Sequence, residues 1–181
     1  MAVSMPPASF WVEASSDEPI GQGEHLLSCE VPEFGTHFKE SNGNPAKIGL
    51  RAANLIVVTQ SCDLANSKVS HVALCPIYTL PEFEGGNPGV AKNWESIRQG
   101  RMEGLHLLGS QTDPRDNQSS LVVDFRQIYS LPFQYASTHA KSQTKRFRLR
   151  SPFLEHFSQA FARFFMRVGL PSPIPPYGKK V

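Results

Sequence analysis

Short apolar runs separated by turn residues occupy most of the chain up to residue 131. The run Asn54–Thr59 is continuous and rich in β-branched side chains, a pattern typical of a strand buried on both faces. Comparable runs predict strands over residues 25–31, 69–78, 104–108 and 121–131. The pattern therefore indicates a core built from many short strands.

The segments between these strands carry weaker signals. Pro76 cannot donate to a strand ladder, so the strand over residues 69–78 lies at a sheet edge or contains a bulge. The glycines and prolines of the range Pro81–Pro88 predict a loop, and residues 91–101 predict a short helix. The polar composition of residues 111–120 predicts an exposed hairpin loop.

A strong helical period begins near residue 151. Ser151 is a candidate N-cap, and Pro152 suits the first helical position. Apolar side chains then recur at i, i+4, i+7 and i+8, which gives one continuous apolar face. Burial in the core is the simpler interpretation of this face, and a docking face for a partner protein is the alternative. The members of this face are Phe153, Phe157, Ala160, Phe161, Phe164, Phe165 and Val168. Gly169 and Pro171 predict the end of the helix.

This order of elements predicts the α+β class, with a small curved β-sheet or barrel and one long amphipathic C-terminal helix. A length of 181 residues is most simply one domain. The predicted boundaries are a flexible N-terminal segment over residues 1–19, a single globular domain over residues 20–170 and a proline-rich tail over residues 171–181.

Composition indicates a cytoplasmic protein. The 3 cysteines form no CxxC pair, which fits a reduced compartment and gives no metal-site spacing. The first residues lack the basic and apolar regions of a signal peptide, and no apolar stretch reaches the length of a membrane span. No cofactor fingerprint is present. We therefore expect no metal, no cofactor and no membrane association.

A thiol and a carboxylate follow directly after the strand Asn54–Thr59. Cys62 would act as a nucleophile if a histidine lay within hydrogen-bond reach, whereas a free cysteine of this kind is more often a small buried structural residue. Asp63 suits a helix cap or turn, with a site carboxylate as the alternative. This corner is the strongest candidate for chemistry in the sequence.

Basic side chains concentrate in two segments. One is the long connection over residues 32–51, and the other is the alternating segment over residues 145–150. On a strand, Phe147 and Leu149 of the second segment would face inward and the charges outward. A solvated basic face is the simpler interpretation, and phosphate contact with nucleic acid is the alternative. The candidate nucleic-acid-binding residues are Lys39, Lys47, Lys145, Arg146, Arg148 and Arg150.

Aromatic residues near both ends of the chain are candidates for binding a partner protein. Phe10 and Trp11 form an apolar hook that docks either on the core or on a partner. Tyr177 lies in the proline-rich tail. These three residues are the predicted partner-binding positions.

The layout of these motifs resembles that of PemK/MazF-like toxins. The resemblance rests on Gly23-Glu24 before the first strand, the strand Arg51–Thr59, the strand end Pro76–Thr79 and the segment Val123–Ile128. It implies a small SH3-like barrel and cleavage of RNA without a metal. The string Thr59–Leu64 is closer to a group of bacterial proteins to which we can assign no activity.

The resemblance also implies catalytic roles. Arg51 would stabilise the charge that develops on the phosphorus centre, because its guanidinium is permanently charged and contacts phosphate at two points. His37 would move the proton of the 2′-hydroxyl group. Asp63 and Cys62 complete the catalytic candidates if the protein is an enzyme. The chain departs from the family in its longer first loop and its lack of an Arg-Pro dipeptide.

Two functions follow. The first is a non-catalytic barrel that acts as a binding subunit or adaptor in a bacterial defence or toxin–antitoxin system. The alternative is a metal-independent toxin-like endoribonuclease. Because the family's functional residues do not align cleanly, and because a shared fold does not confer activity, the sequence favours the binding module. A partner protein is expected, and RNA remains a second potential partner.

Overall fold

The computed structural model describes residues 9–33, 48–66 and 68–166. The strands in these residues are β1 (Trp11–Ala14), β2 (Glu24–Glu33), β3 (Gly49–Val57), β4 (His71–Thr79), β5 (Leu105–Leu108), β6 (Leu121–Asp124), β7 (Tyr129–Pro132) and β8 (Arg146–Leu149). The helices are α1 (Ser61–Ala65), α2 (Leu80–Gly86), α3 (Trp94–Arg98), α4 (Phe133–Ser142) and α5 (Phe153–Phe165). Short 3₁₀ helices cover Val90–Asn93 and Asn117–Ser119.

All of these strands join one antiparallel sheet in the order β1-β8-β2-β3-β4-β6-β5, and β7 pairs with β4. Within the described residues the sheet stays open, with β1 and β5 at its ends. A one-residue register shift between Leu26 and Cys29 marks a β-bulge in β2, where Ser28 has a φ of 53°. The α+β class is confirmed, and the sheet has not closed into a barrel.

A second irregularity explains the position of Pro76. Ile77 of β4 pairs with Val123 of β6, and Leu74 of β4 pairs with Tyr129 of β7. These two pairs are three residues apart in β4 but six residues apart in the segment that contains β6 and β7. The predicted strand over residues 121–131 is therefore two strands separated by a bulged segment. Pro76 lies in the stretch of β4 that pairs with neither β6 nor β7. The extra residues lie between β6 and β7 and not in β4, so they are not the bulge predicted for the strand of Pro76. The predicted edge position is wrong, because β4 lies inside the sheet.

Alternating side chains of β3 divide the core between the two faces of the sheet. Leu55 and Val57 join a cluster that contains Ala136 and Ala140 of α4. Ile56 and Val58 join a cluster on the other face, which is covered by α5. A third cluster packs α2 and α3 against β5 and β6. The continuous apolar run is therefore buried on both faces, as its composition predicts.

Helix α5 confirms the predicted amphipathic helix but begins later than predicted. Pro152 occupies the N-cap position without a side-chain cap, so the prediction that Ser151 is the N-cap is wrong. Phe157 is fully buried, and its ring lies 5.6 Å from that of Phe125 in an inclined pair. The predicted end of the helix, with Gly169, lies outside the described residues, as does the predicted proline-rich tail.

Three further elements differ from the sequence prediction. The range Pro81–Pro88, expected as a loop, contains most of α2, which begins with a capping box between Thr79 and Glu82. The sequence does not predict helix α4, because apart from Phe133 and Tyr135 in its first turn its residues are polar or small alanines. Strand β1 lies inside the predicted flexible segment and pairs with β8. The sheet therefore begins at Trp11.

Gly104→Ala is expected to lower the free energy of unfolding by about 1–3 kcal/mol. Gly104 has a φ of +82°, and an added Cβ would lie 2.8 Å from Arg126 Cγ and 3.1 Å from Phe164 Cε2. Gly85→Ala in α2 is the matched control, because nothing lies within 4 Å of its added Cβ and alanine favours helix. Denaturant unfolding of both variants measures the difference. Equal stabilities would contradict the steric argument.

Candidate functional site

Arg51 lies in the first half of β3 and is half-buried. Its Nη2 donates a hydrogen bond of 2.5 Å to the hydroxyl group of Tyr129, and its guanidinium carbon lies 5.9 Å from the centre of that ring. Burial raises the pKa of the nearby Tyr78, the charge of Asp124 adds to this effect, and Arg51 opposes it. Arg51 thus belongs to a small cluster of tyrosines.

The Cys62-Asp63 corner lies beyond the other end of β3. At about 3.3 Å per residue, the backbone from Arg51 to Val57 spans roughly 20 Å, and the corner follows Val57. The described structure therefore separates Arg51 from the other two catalytic candidates by more than the reach of any side chain. His37, Lys39 and Lys47 lie outside the described residues. The predicted catalytic set is not assembled among the residues described.

Hydrogen bonds fix the corner to the loop before β2. The backbone N–H of Gln22 donates to the Ser61 hydroxyl oxygen at 2.9 Å, and the Gln22 side chain donates to the Val58 carbonyl at 3.0 Å. The hydroxyl oxygen of Thr59 accepts from the Ala73 N–H at 2.8 Å. These bonds hold the strand end rigidly, so the side chains of Gln60 and Asp63 project from a fixed base.

Cys62 is exposed in α1, contrary to the expectation of a small buried residue. Its thiol contacts Gln60 Oε1 at 3.6 Å and Asp63 Oδ1 at 3.8 Å. Asp63 is half-buried and forms an ion pair of 3.7 Å with Lys68. No histidine is among the hydrogen-bond partners of the thiol in the described part of the chain, so the contact that would activate a nucleophile is missing there.

A groove of about 620 Å³ runs between this corner and the C-terminal half of α5. It is lined by Gln22, Val58, Thr59, Gln60, Asp63, Ala73, Ile128, Ser158, Phe161, Ala162 and Phe165. Its rim is polar on the corner side, and its other wall is aromatic. Phe165 is 49% exposed and Ile128 is 45% exposed, so large apolar side chains face solvent here. The sequence predicts a site at Gln60 and Asp63. It predicts the phenylalanine face of α5 as core, with a docking face for a partner protein as the alternative.

The two arginines that alternate with apolar residues along β8 form ion pairs within the protein. Phe147 and Leu149 pack against the cluster under α5, as the alternation predicts. Arg146 is buried, however, and its ion pair with Glu24 is 2.6 Å long, with a side-chain exposure of 1% for Arg146 and 0% for Glu24. Arg148 pairs with the same carboxylate at 2.7 Å. The prediction of a nucleic-acid contact is therefore wrong for Arg146.

Arg146 also holds the segment before β2 in place. Its Nη1 donates to the carbonyl oxygens of Ser15, Ser16 and Glu18 at 2.7, 3.2 and 2.8 Å. The signal that sequence analysis missed is Glu24, an acid at the start of a strand that pairs with the basic strand β8. Lys145, at one end of β8, and Arg150, just beyond the other, remain exposed.

The aromatic hook near the N-terminus docks on the core. Trp11 is 4% exposed, and its indole N–H donates to the Gly109 carbonyl at 2.8 Å. Phe10 stacks on Phe153 with the ring centres 3.8 Å apart. The partner-binding prediction is therefore wrong for Trp11, which has almost no free surface, and Phe10 is half-buried by α5. Tyr177 lies outside the described residues.

The cysteines occupy three separate environments. Cys29 and Cys75 are buried in clusters on opposite faces of the sheet, and burial raises the pKa of each thiol to about 12.

Across residues 9–33, 48–66 and 68–166, no three metal-ligating side chains form a site. No helix in these same ranges is long and apolar enough to cross a membrane. No family model matches this chain, and searches of curated proteins and of solved structures return no match.

Proposed function

We propose that this chain is a non-catalytic binding subunit or adaptor, and that its ligand is an apolar segment of a partner protein seated in the groove between the corner and α5. The setting we propose is a bacterial defence or toxin–antitoxin system, with the sheet as an open variant of the SH3-like barrel of PemK/MazF-like proteins. The sequence resemblance supports this setting.

The exposed apolar wall of the groove is the observation that carries the proposal. Ile128 and Phe165 line the groove, and the next residue after α5, Met166, is 79% exposed. Contiguous exposure of large apolar side chains beside a polar rim is typical of a protein interaction surface. A volume of about 620 Å³ holds several side chains, within the range of about 300–1,000 Å³ that is usual for ligand sites.

Charge favours a protein segment over RNA at this groove. Among the residues that line it there is no lysine, arginine or histidine, and Asp63 contributes a carboxylate. A phosphate backbone needs cationic contacts, so it would be repelled here. Gln22, Gln60 and Ser158 can instead donate to or accept from a peptide backbone at the rim. An uncharged or basic apolar segment is the occupant that this surface fits.

Phe165→Glu and Ile128→Glu test the proposal. A partner captured from a native lysate is first identified and purified, and its affinity for the wild-type chain is then measured by calorimetry. Each variant is expected to weaken binding at least about tenfold, because a charge is buried against an apolar ligand. Leu50→Glu is the matched control, since Leu50 is 63% exposed but lies outside the groove. Its affinity should equal that of the wild type.

Three outcomes would contradict the binding module. One is an affinity that the groove variants and Leu50→Glu lower equally. Another is concentration-dependent self-association that Phe165→Glu abolishes, because the groove would then be covered by a second copy. The last is RNA cleavage by the wild type in the presence of a chelator, with loss of cleavage in Arg51→Ala. That result would favour the endoribonuclease.

A further inference from the structure

A second concave surface lies between α3, β5 and the middle of α5. This cleft has a volume of about 250 Å³ and is separate from the groove, with which it shares no lining residue. Its polar lining consists of Arg98, Gln99, His106, His156, Gln159 and Arg163. Two guanidinium groups, two imidazoles and two carboxamides thus line one small space.

Helix α5 forms one wall of the cleft, because three of its polar residues lie on the same face of the helix. His156, Gln159 and Arg163 follow i, i+3 and i+7, so they lie on one face of the helix. Among the described residues, neither Arg163 nor His156 forms an ion pair with a carboxylate. Their donors are therefore available to a ligand rather than used within the fold.

Arg98 on the opposite wall is held in a fixed direction. Its Nε and Nη2 donate to the two carboxylate oxygens of Glu95 at 2.8 and 2.6 Å. This bidentate contact leaves the Nη1 donors outside the pair. The pair is exposed and Glu95 offsets its charge, so Arg98 contributes hydrogen-bond donors to the cleft more than net charge.

His106 adds a donor without a charge. Its ring lies 5.9 Å from each of the rings of Phe125 and Phe157, and it has no hydrogen-bond partner in the part of the chain described. Burial, with a smaller effect from His156, lowers the pKa of His106 from 6.5 to about 4. The imidazole is thus neutral near pH 7 and keeps one ring N–H for donation.

We propose that this cleft binds the phosphate group of a small phosphorylated ligand. No carboxylate is among the residues that line the cleft, but Glu95 beside it offsets the charge of Arg98 and accepts from Gln99. Arg163 therefore supplies the guanidinium charge that a phosphate would meet there. Its volume is below the range of about 300–1,000 Å³ that holds whole drug-sized molecules, which suits a phosphate with little attached to it. Guanidinium groups recognise phosphate through paired hydrogen bonds, which favours this oxyanion over a halide.

A smaller hollow adjoins the cleft and contains a carboxylate whose charge can be removed. It has a volume of about 140 Å³, shares His106 and Arg163 with the cleft and includes the carboxylate of Glu103. Removal of this negative charge should strengthen phosphate binding without touching the cleft itself. Glu103→Gln therefore changes affinity in the direction opposite to Arg163→Gln.

The test is a calorimetric titration of the full chain with inorganic phosphate, at constant ionic strength set with sodium chloride. We expect saturable binding at one site, weakened about tenfold or more by Arg163→Gln and strengthened by Glu103→Gln. Lys141→Gln, which removes an exposed charge on α4, should leave the affinity unchanged. Glycerol 3-phosphate and glycerol, titrated in parallel, distinguish a small phosphate ester from free phosphate as the source.

The outcomes separate this site from the groove. Absence of saturable phosphate binding at about 10 mM, or equal losses in Arg163→Gln and Lys141→Gln, would overturn the proposal. Phe165→Glu should bind phosphate as the wild type does, because Phe165 does not line the cleft. A failed partner-binding experiment would thus leave the phosphate result intact, and the reverse also holds.

Discussion

Arg146→Ala is expected to lower the free energy of unfolding by about 3–5 kcal/mol. The substitution leaves the fully buried Glu24 carboxylate without its closest cation, 2.6 Å away. It also removes the donor shared by the carbonyl oxygens of Ser15, Ser16 and Glu18. Desolvated groups without partners are more costly than the lost attraction itself. Urea unfolding monitored by tryptophan fluorescence measures the loss.

Two neighbouring basic residues serve as controls for this prediction. Arg148→Ala should cost less than Arg146→Ala, because the Arg148 side chain is 22% exposed and water can replace part of its contacts with Glu24. Lys145→Ala should stay within about 0.5 kcal/mol of the wild type, since the residue is exposed. Comparable losses in all three variants would show that general surface charge, not the buried contact, stabilises this region.

Acidification from pH 7 to pH 5 is expected to lower the free energy of unfolding by about 2 kcal/mol for each of two histidines, the buried His25 and the half-buried His106. Burial lowers the pKa of both His25 and His106 from 6.5 to about 4. The folded chain therefore stays neutral at these positions while the unfolded chain gains protons below pH 6.5. Stability contributed by the neutral forms is complete above pH 6.5 and is lost as the pH falls toward 4.

Substitution of single histidines shows which of them causes the loss of stability at low pH. His25→Leu should remove about half of the loss between pH 7 and pH 5, because one proton fewer is taken up on unfolding. His106→Leu should remove a similar share of the loss, because burial lowers the pKa of His106 as well. The measurement is urea unfolding at a series of pH values. A wild-type stability that is flat over this interval would refute the burial of both neutral imidazoles.

Local patterns predicted most of the sheet and its longest helix. The β-branched run ending at Thr59 and the phenylalanine period of α5 both predict an element that packs on the core, although α5 leaves Phe165 49% exposed. Helix α2 was missed because Gly85, Gly86 and the flanking prolines outweighed a capping box that is present in the sequence. Helix α4 packs through Phe133, Tyr135 and two buried alanines, and apolar residues at these positions make too weak a periodic pattern to distinguish a helix from a loop.

The candidate site could be predicted only in part, for a geometric reason. Gln60 and Asp63 stood out because they follow a strand end directly. Their opposite wall, Phe161 and Phe165, lies about a hundred residues later in the chain, and its exposure depends on how far α5 extends past the sheet. The pairing of Glu24 with Arg146 is equally non-local, so alternation alone predicted a solvent-facing arginine. A local sequence pattern does not show where a residue lies relative to elements that are distant in the chain.

Within the described residues, β1 and β5 end the sheet and β7 pairs with β4 alone, and these free edges bear on how the protein avoids indiscriminate association. Strands β1 and β5 are each four residues long, and β1 presents the charged Glu13. So short an edge offers few backbone groups to an incoming strand, and a charge on it discourages stacking of further chains. Fibre-like growth through edge pairing is therefore suppressed, and specificity must come from side-chain surfaces on the faces of the sheet. A chain with an open sheet can in this way remain selective.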